Sequence, residues 1–326
     1  MHVVPRISEN TLNVLMRRLR AVAHNTLLTI IAWCVVLVLL GRVIQRAWQG
    51  LQVYSLHLSF ELLLISALLL VAAFLNGALG WHLLLRTMGV QHSWKKDMAT
   101  WLVAQAAKYL PAGTVWYFGG RFLQGKRNGL DSATVSLALA MEFAFYLGGA
   151  FVLFGLSLGL WPDVAWGWQV SVGVLALSVL WWLLSPRLVR LACRWLHHQG
   201  DWRGDIAQPL QRMGGSGLRQ LSLFYLLQWM LIGQAFWFLV ASLYPVTPTR
   251  MLALGGVFSL SSALGYLVFL IPGGWGVREQ ALALLLGHFI PFPLGATVSI
   301  LARLWYTIVE GVCMLLGWVI HRTAVR

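Results

Sequence analysis

Long apolar runs separated by short basic segments dominate this chain. The runs fall at about 26–48, 58–84, 132–160, 165–185, 218–243 and 294–320, each close to or above the roughly 20 residues that an α-helix needs to cross a bilayer. They show no two-residue alternation, which argues against barrel strands and predicts membrane-spanning helices. Two further apolar stretches are interrupted. The run 98–110 meets Pro111 and Gly113, with Gly119 and Gly120 close behind, and the stretch 251–290 is cut by Pro272, Gly273, Gly274 and Gly276. Proline removes a backbone donor and glycine favours non-helical angles, so a helix reaching either break stops rather than bends. Unwound backbone at membrane depth is tolerated only where it is buried in protein or lines a wet cavity, and such breaks point to a binding site. The predicted fold class is all-α: a polytopic membrane helical bundle of about six full spans plus two re-entrant, broken-helix hairpins.

Charge orients the bundle. Arg17, Arg18 and Arg20 precede the first run, and Arg86, Lys95 and Lys96 follow the second. Lys126 and Arg127 follow the first break, and six arginines from Arg187 to Arg219 crowd one loop, whereas the WPDVAW loop has no basic residue. By the positive-inside rule the N- and C-termini are cytoplasmic. Residues 1–25 read as a basic amphipathic lead, followed by a single transmembrane domain over 26–326. The first run continues into Gly41-Arg42 without a small-residue cleavage site, so it reads as a retained span. The halves 26–160 and 165–320 each read span, span, broken hairpin, span from opposite starting sides, and one offset relates Pro111 to Pro272 and Glu142 to Arg303. That is the pattern of an inverted-topology repeat.

Composition agrees. Of 326 residues, 59% are hydrophobic and 10% charged, against about 25% charged in soluble domains. The net charge of +14 is carried mainly by short loops, so it reports topology rather than nucleic-acid binding. Cys34, Cys193 and Cys313 are dispersed, which predicts neither disulfides nor a metal cluster. The tryptophans cluster at span ends as interfacial anchors. No nucleotide-binding glycine motif, GxSxG or HExxH occurs, and ten acidic residues in all offer little to hold a metal on phosphates. No cofactor and no catalytic group are expected.

Ionisable residues inside apolar runs are costly and usually face a bundle interior or wet cavity. Glu142 and Arg303 occupy matching depths in their spans, which makes them expected neighbours across the pseudo-two-fold axis, either as a structural ion pair or in handling substrate. Glu310 lies two helical turns beyond Arg303 on the same face. Lys108, Tyr109 and Arg121 flank the first break, while Arg278 and Glu279 follow the second. A cation beside freed amides suits a phosphate. Lys108 has the alternative of snorkelling to the interface. Arg278 and Glu279 point about 100° apart on a helix and should reach different partners, one of them by capping or pairing locally.

The segments AKYLPAGTVWYFGGR and VFLIPGGWGVREQ resemble the two signatures of the lysylphosphatidylglycerol synthase transmembrane, or flippase-like, family. Lys108, Tyr109, Pro111, Arg121, Glu142, Pro272, Gly273, Gly274, Gly276, Arg278, Glu279 and Arg303 occupy the family positions, with Ala112 where many members have glycine. Full-length synthases add a soluble aminoacyltransferase domain that these 326 residues lack, so the resemblance implies the stand-alone membrane half. Its implied function is moving an anionic or aminoacylated phospholipid, or a polyprenyl-linked lipid, between leaflets of the inner membrane. It also admits a homo-oligomer and partners in envelope-lipid biosynthesis, although no GxxxG seam stands out. Two other readings remain: an integral-membrane transferase acting on a lipid-linked sugar through Glu142, Glu279 or Glu310, and a non-transporting scaffold.

Overall fold

Apolar runs in a bilayer must satisfy their own backbone polar groups, and coiling does so within each segment. The computed structural model describes residues 58–109, 113–197, 201–268 and 274–324, with Val38, Gly41, Arg42 and Gln45. The amphipathic lead, most of the first predicted span and, at the breaks, Pro111, Pro272 and Gly273 lie outside the described residues. Those described are predominantly helical, with no strand among them. In chain order the helices are α1 (Phe60–Thr87), α2 (Trp94–Ala104), α3 (Gly113–Arg127), α4 (Ser132–Ser157), α5 (Gly167–His197), α6 (Asp201–Leu243), α7 (Met251–Leu267), α8 (Val277–Leu286) and α9 (Phe292–Ala324). A 3₁₀ turn, Gln105–Tyr109, extends α2 towards the first break. Asp131 caps α4 by accepting from Thr134 N at 2.7 Å.

Among the described residues six helical segments are long and apolar enough to cross a membrane: 60–87, 132–160, 167–185, 208–243, 248–267 and 292–322. Five of these coincide with predicted runs. The exception is 248–267, read from sequence as one arm of a broken hairpin. The interruption falls after Leu267, late in the stretch, so α7 keeps 17 residues, or about 25 Å of helix. The arm beyond the break, α8, has 10 residues and is only about 15 Å long. Within α6, Gly214 adopts φ 60°, so the basic lead-in departs from the apolar remainder.

The bundle closes where helices come near one another. α1 runs along α6, α4 packs between α6 and α7, and α9 packs on α2 and α8. At the α6–α7 crossing Gly233 meets Gly255: a Cβ on Gly233 would lie 2.9 Å from the Gly255 Cα. Interhelical hydrogen bonds reinforce these contacts. Trp229 Nε1 donates to Tyr146 O at 2.6 Å, Ser259 Oγ to Ala150 O at 3.0 Å and Ser66 Oγ to Ala235 O at 2.7 Å; each such bond contributes about 0.6–2 kcal/mol in a membrane. By contrast, α5 is peripheral and leaves Trp168, Leu175, Leu177 and Leu183 exposed. That face is a lipid-contacting surface, since in water it would be an aggregation-prone patch.

Candidate functional site

The second break is built on glycine. After the described end of α7 the chain resumes with Gly274 and Gly276 at φ 65° and 81°, angles that side chains disfavour. Gly274 also lies directly on α7: a Cβ there would fall 2.6 Å from the Gly265 Cα. α8 then starts with a cap, Glu279 accepting from Gly276 N at 2.7 Å. This fixes the carboxylate on one side of the helix and sends the neighbouring Arg278 to another. As expected from their spacing, the two side chains find different partners. The Arg278 guanidinium lies over the rings of Phe258 and Tyr306, 4.6 and 4.9 Å from their centroids. Arg278 is 4% exposed, and its Nε and Nη2 have no hydrogen-bond partner among the described residues.

The first break contributes a second group of charges. Lys108 is drawn inward rather than snorkelling: its Nζ lies 3.3 Å from Glu310 Oε1. The rings of Tyr117 and Tyr266 flank it at 5.2 and 5.7 Å. Tyr109 donates its hydroxyl to Glu310 and stands 3.4 Å from Thr307 Oγ1. Glu310 is therefore buried at the chamber.

The expected Glu142–Arg303 neighbours pair elsewhere. Glu142 forms an ion pair with Arg121 of α3 and accepts from Trp101 Nε1 at 2.6 Å. Arg121 also stacks 3.9 Å from the Trp81 ring centroid and donates to the Tyr117 hydroxyl at 2.9 Å. Arg303 lies 3.7 Å from Glu279 with its guanidinium over Trp275. Each span charge is thus met by the broken segment that precedes it in the chain, a nearer partner than the matching position in the other half. The polarity is reversed: the first pair has its cation on the broken segment, the second has it on the span.

These groups surround two adjoining cavities. The smaller takes in about 350 Å³, part of it open to the outside, and is bounded by Lys108, Tyr109, Ser262, Arg278, Arg303 and Glu310. The larger takes in about 790 Å³, likewise partly open, and is walled by Trp101, Phe118, Glu142, Phe143, Tyr146 and Tyr225, among others. Lys108, Gly265, Tyr266 and Tyr306 belong to both. Of the sequence-predicted residues, Lys108, Tyr109, Glu142, Arg278, Arg303 and Glu310 line this chamber, while Arg121 and Glu279 stand behind as their counterions. Sequence reasoning missed Trp101, Tyr117, Tyr146, Tyr225, Gln228, Tyr266 and Tyr306. The available signal was a set of polar-tipped side chains inside apolar runs, where buried Tyr and Trp need partners. No group of three His, Cys, Asp or Glu side chains among the described residues is arranged to hold a metal ion.

Among the described residues three acids and three bases are matched in this chamber, and isolated buried charges are costly enough that such matching is expected. Arg278 stands outside the matching. A multi-pass helical membrane protein is defined here, with interrupted helices around an ionised chamber. The chain belongs to the family described as the lysylphosphatidylglycerol synthase TM region, which matches residues 25–313. No curated protein matches the chain.

Proposed function

We propose that this protein moves a phosphate-bearing lipid between the leaflets of the cell's inner membrane, with both termini cytoplasmic and the two broken segments forming re-entrant hairpins of an inverted repeat. The observation that carries this reading is the buried guanidinium of Arg278 at the wall of a cavity, whose Nε and Nη2 have no hydrogen-bond partner among the described residues. A cation with free donors in a low-dielectric site is most simply satisfied by a ligand anion, through charge-assisted hydrogen bonds. The head group sits in the chamber while the acyl chains remain in lipid, and the hairpins open in turn to each leaflet. Family membership supports lipid transport at this coarse level. The carboxylates Glu142, Glu279 and Glu310 each already hold a cation or a capping amide. That commitment favours transport over a transferase that needs one of them as a base.

The test is transbilayer movement of a fluorescent anionic phospholipid in proteoliposomes, read by dithionite quenching. Wild type should expose the inner-leaflet pool and Arg278→Gln should slow this by about tenfold or more, because a charge-assisted hydrogen bond contributes about 1.5–3 kcal/mol. Wild-type vesicles that behave like protein-free ones would instead support a scaffold.

A further inference from the structure

We propose that the chamber opens sideways to lipid between α3 and the end of α7, and that this seam holds the hydrocarbon chains of the transported lipid while its head group is inside. This rests on the transport reading above and says where the site meets the bilayer. The first support is the pattern of burial around the larger cavity. Its walls on α1, α2, α6 and α9, among them Phe74, Trp101, Tyr225 and Tyr306, are buried. Its half-buried walls are Lys108, Tyr117, Phe118, Phe143, Tyr146 and Tyr266. These fall together on the first broken segment, the middle of α4 and the last turn of α7. Ala144 and Leu267, the next residues after Phe143 and Tyr266, are exposed, so the rim faces the surface of the bundle. α3 and α7 each pack on α4, yet they form no extended seam with each other among the described residues. That leaves α4 as the floor of a gap between them.

The second support is the chemistry along the gap. Its inner end is polar: Lys108 Nζ stands between the rings of Tyr117 on α3 and Tyr266 on α7, 5.2 and 5.7 Å from their centroids. Its outer part is ring surface. Phe118 meets Phe143 edge to face at 5.5 Å, and Tyr266 meets Tyr146 in the same way at 5.4 Å. Each pair therefore joins the α4 floor to one flank. Edge-to-face pairs leave part of each ring uncovered, and a hydrocarbon chain lying between the flanks exchanges ring–ring contact for ring–chain contact. The floor itself is fixed, because Tyr146 O accepts from Trp229 Nε1 of α6 at 2.6 Å. A polar inner end and an apolar outer rim follow the order of a lipid's head and chains. The buried walls elsewhere offer the chains no other exit among the described residues.

The experiment is photolabelling of the full chain in vesicles by a phospholipid that carries a diazirine at mid-chain, with the adducts mapped by peptide mass spectrometry. Adducts are expected on the rings of Phe118, Phe143, Tyr146 and Tyr266, besides those on the exposed face of α5. Labelling of α5 with none on these four rings overturns the proposal. A second arm reads passage, in a chain whose Cys34, Cys193 and Cys313 have been replaced. Phe143→Cys carrying a pyrenyl maleimide adduct should move lipid at least about tenfold more slowly than the same protein without the adduct. The same adduct on Ala144→Cys, one residue along on the exposed side, should leave the rate unchanged. Equal rates with and without the adduct at Phe143→Cys, in vesicles where the unmodified protein moves lipid, also overturn the proposal. Ring adducts in vesicles that move no lipid would keep the seam as a chain-binding site and remove the transport reading instead.

Discussion

Glu142 and Arg121 are buried deeply enough that each depends on the other: Arg121 is 1% exposed and Glu142 6%. Removing one partner strands the other in a low-dielectric interior, whereas removing both exchanges a costly pair for neutral packing. Glu142→Gln should therefore lower stability by about 3–5 kcal/mol, and adding Arg121→Met should recover most of that loss. Unfolding of detergent-solubilised protein by denaturant checks this, and equal destabilisation of single and double variants would refute a charge-based coupling. At this scale the sequence was informative about which residues carry charge and poor about whom they meet. The expected repeat suggests Glu142 with Arg303, but matching positions of a repeat need not be in contact, and each finds another partner. The preceding broken segment supplies the nearer counterion in both halves. The cavity tyrosines were invisible for a related reason, since a lone tyrosine in an apolar run has the same pattern as a core residue.

Spans were legible because an apolar run as long as a bilayer is thick is rare outside a membrane. Where a break divides a stretch was less so. The Pro-Gly cluster marks an interruption, yet the register of the preceding helix decides whether the arm before it is short or span-length, and in α7 it is span-length. That length matters for packing, because it carries Gly255 into contact with Gly233. Helices in lipid associate through close van der Waals approach at small residues. Gly233→Ala should thus force α6 and α7 apart and cost about 1–3 kcal/mol by overpacking, seen as a lower melting temperature in detergent. Gly173→Ala, on peripheral α5 with open space around it, should change stability by no more than about 0.5 kcal/mol. Similar losses at both positions would mean that the crossing does not limit stability.

Across the whole molecule, the proposed alternating access would require the two halves to move against each other, with the contacts that join them breaking and reforming. Tyr109, beside the first break, meets Thr307 and Glu310 on the last helix, while Lys108 reaches the same carboxylate. A phosphate drawn towards Arg278 enters the small cavity these residues share. Under the proposed function it would compete with Glu310 for Lys108 and loosen the contact between the first broken segment and the last helix. Fixing that contact should stop the cycle without removing the site. Cysteines at Tyr109 and Thr307, introduced where Cys34, Cys193 and Cys313 have been replaced, provide the means. Bridging them with a reducible bifunctional reagent should abolish lipid movement in proteoliposomes, and reduction should restore the rate of the same unbridged protein. Transport that continues through the bridge would show that the first hairpin and the last helix travel together, and the moving boundary would then have to lie elsewhere in the bundle.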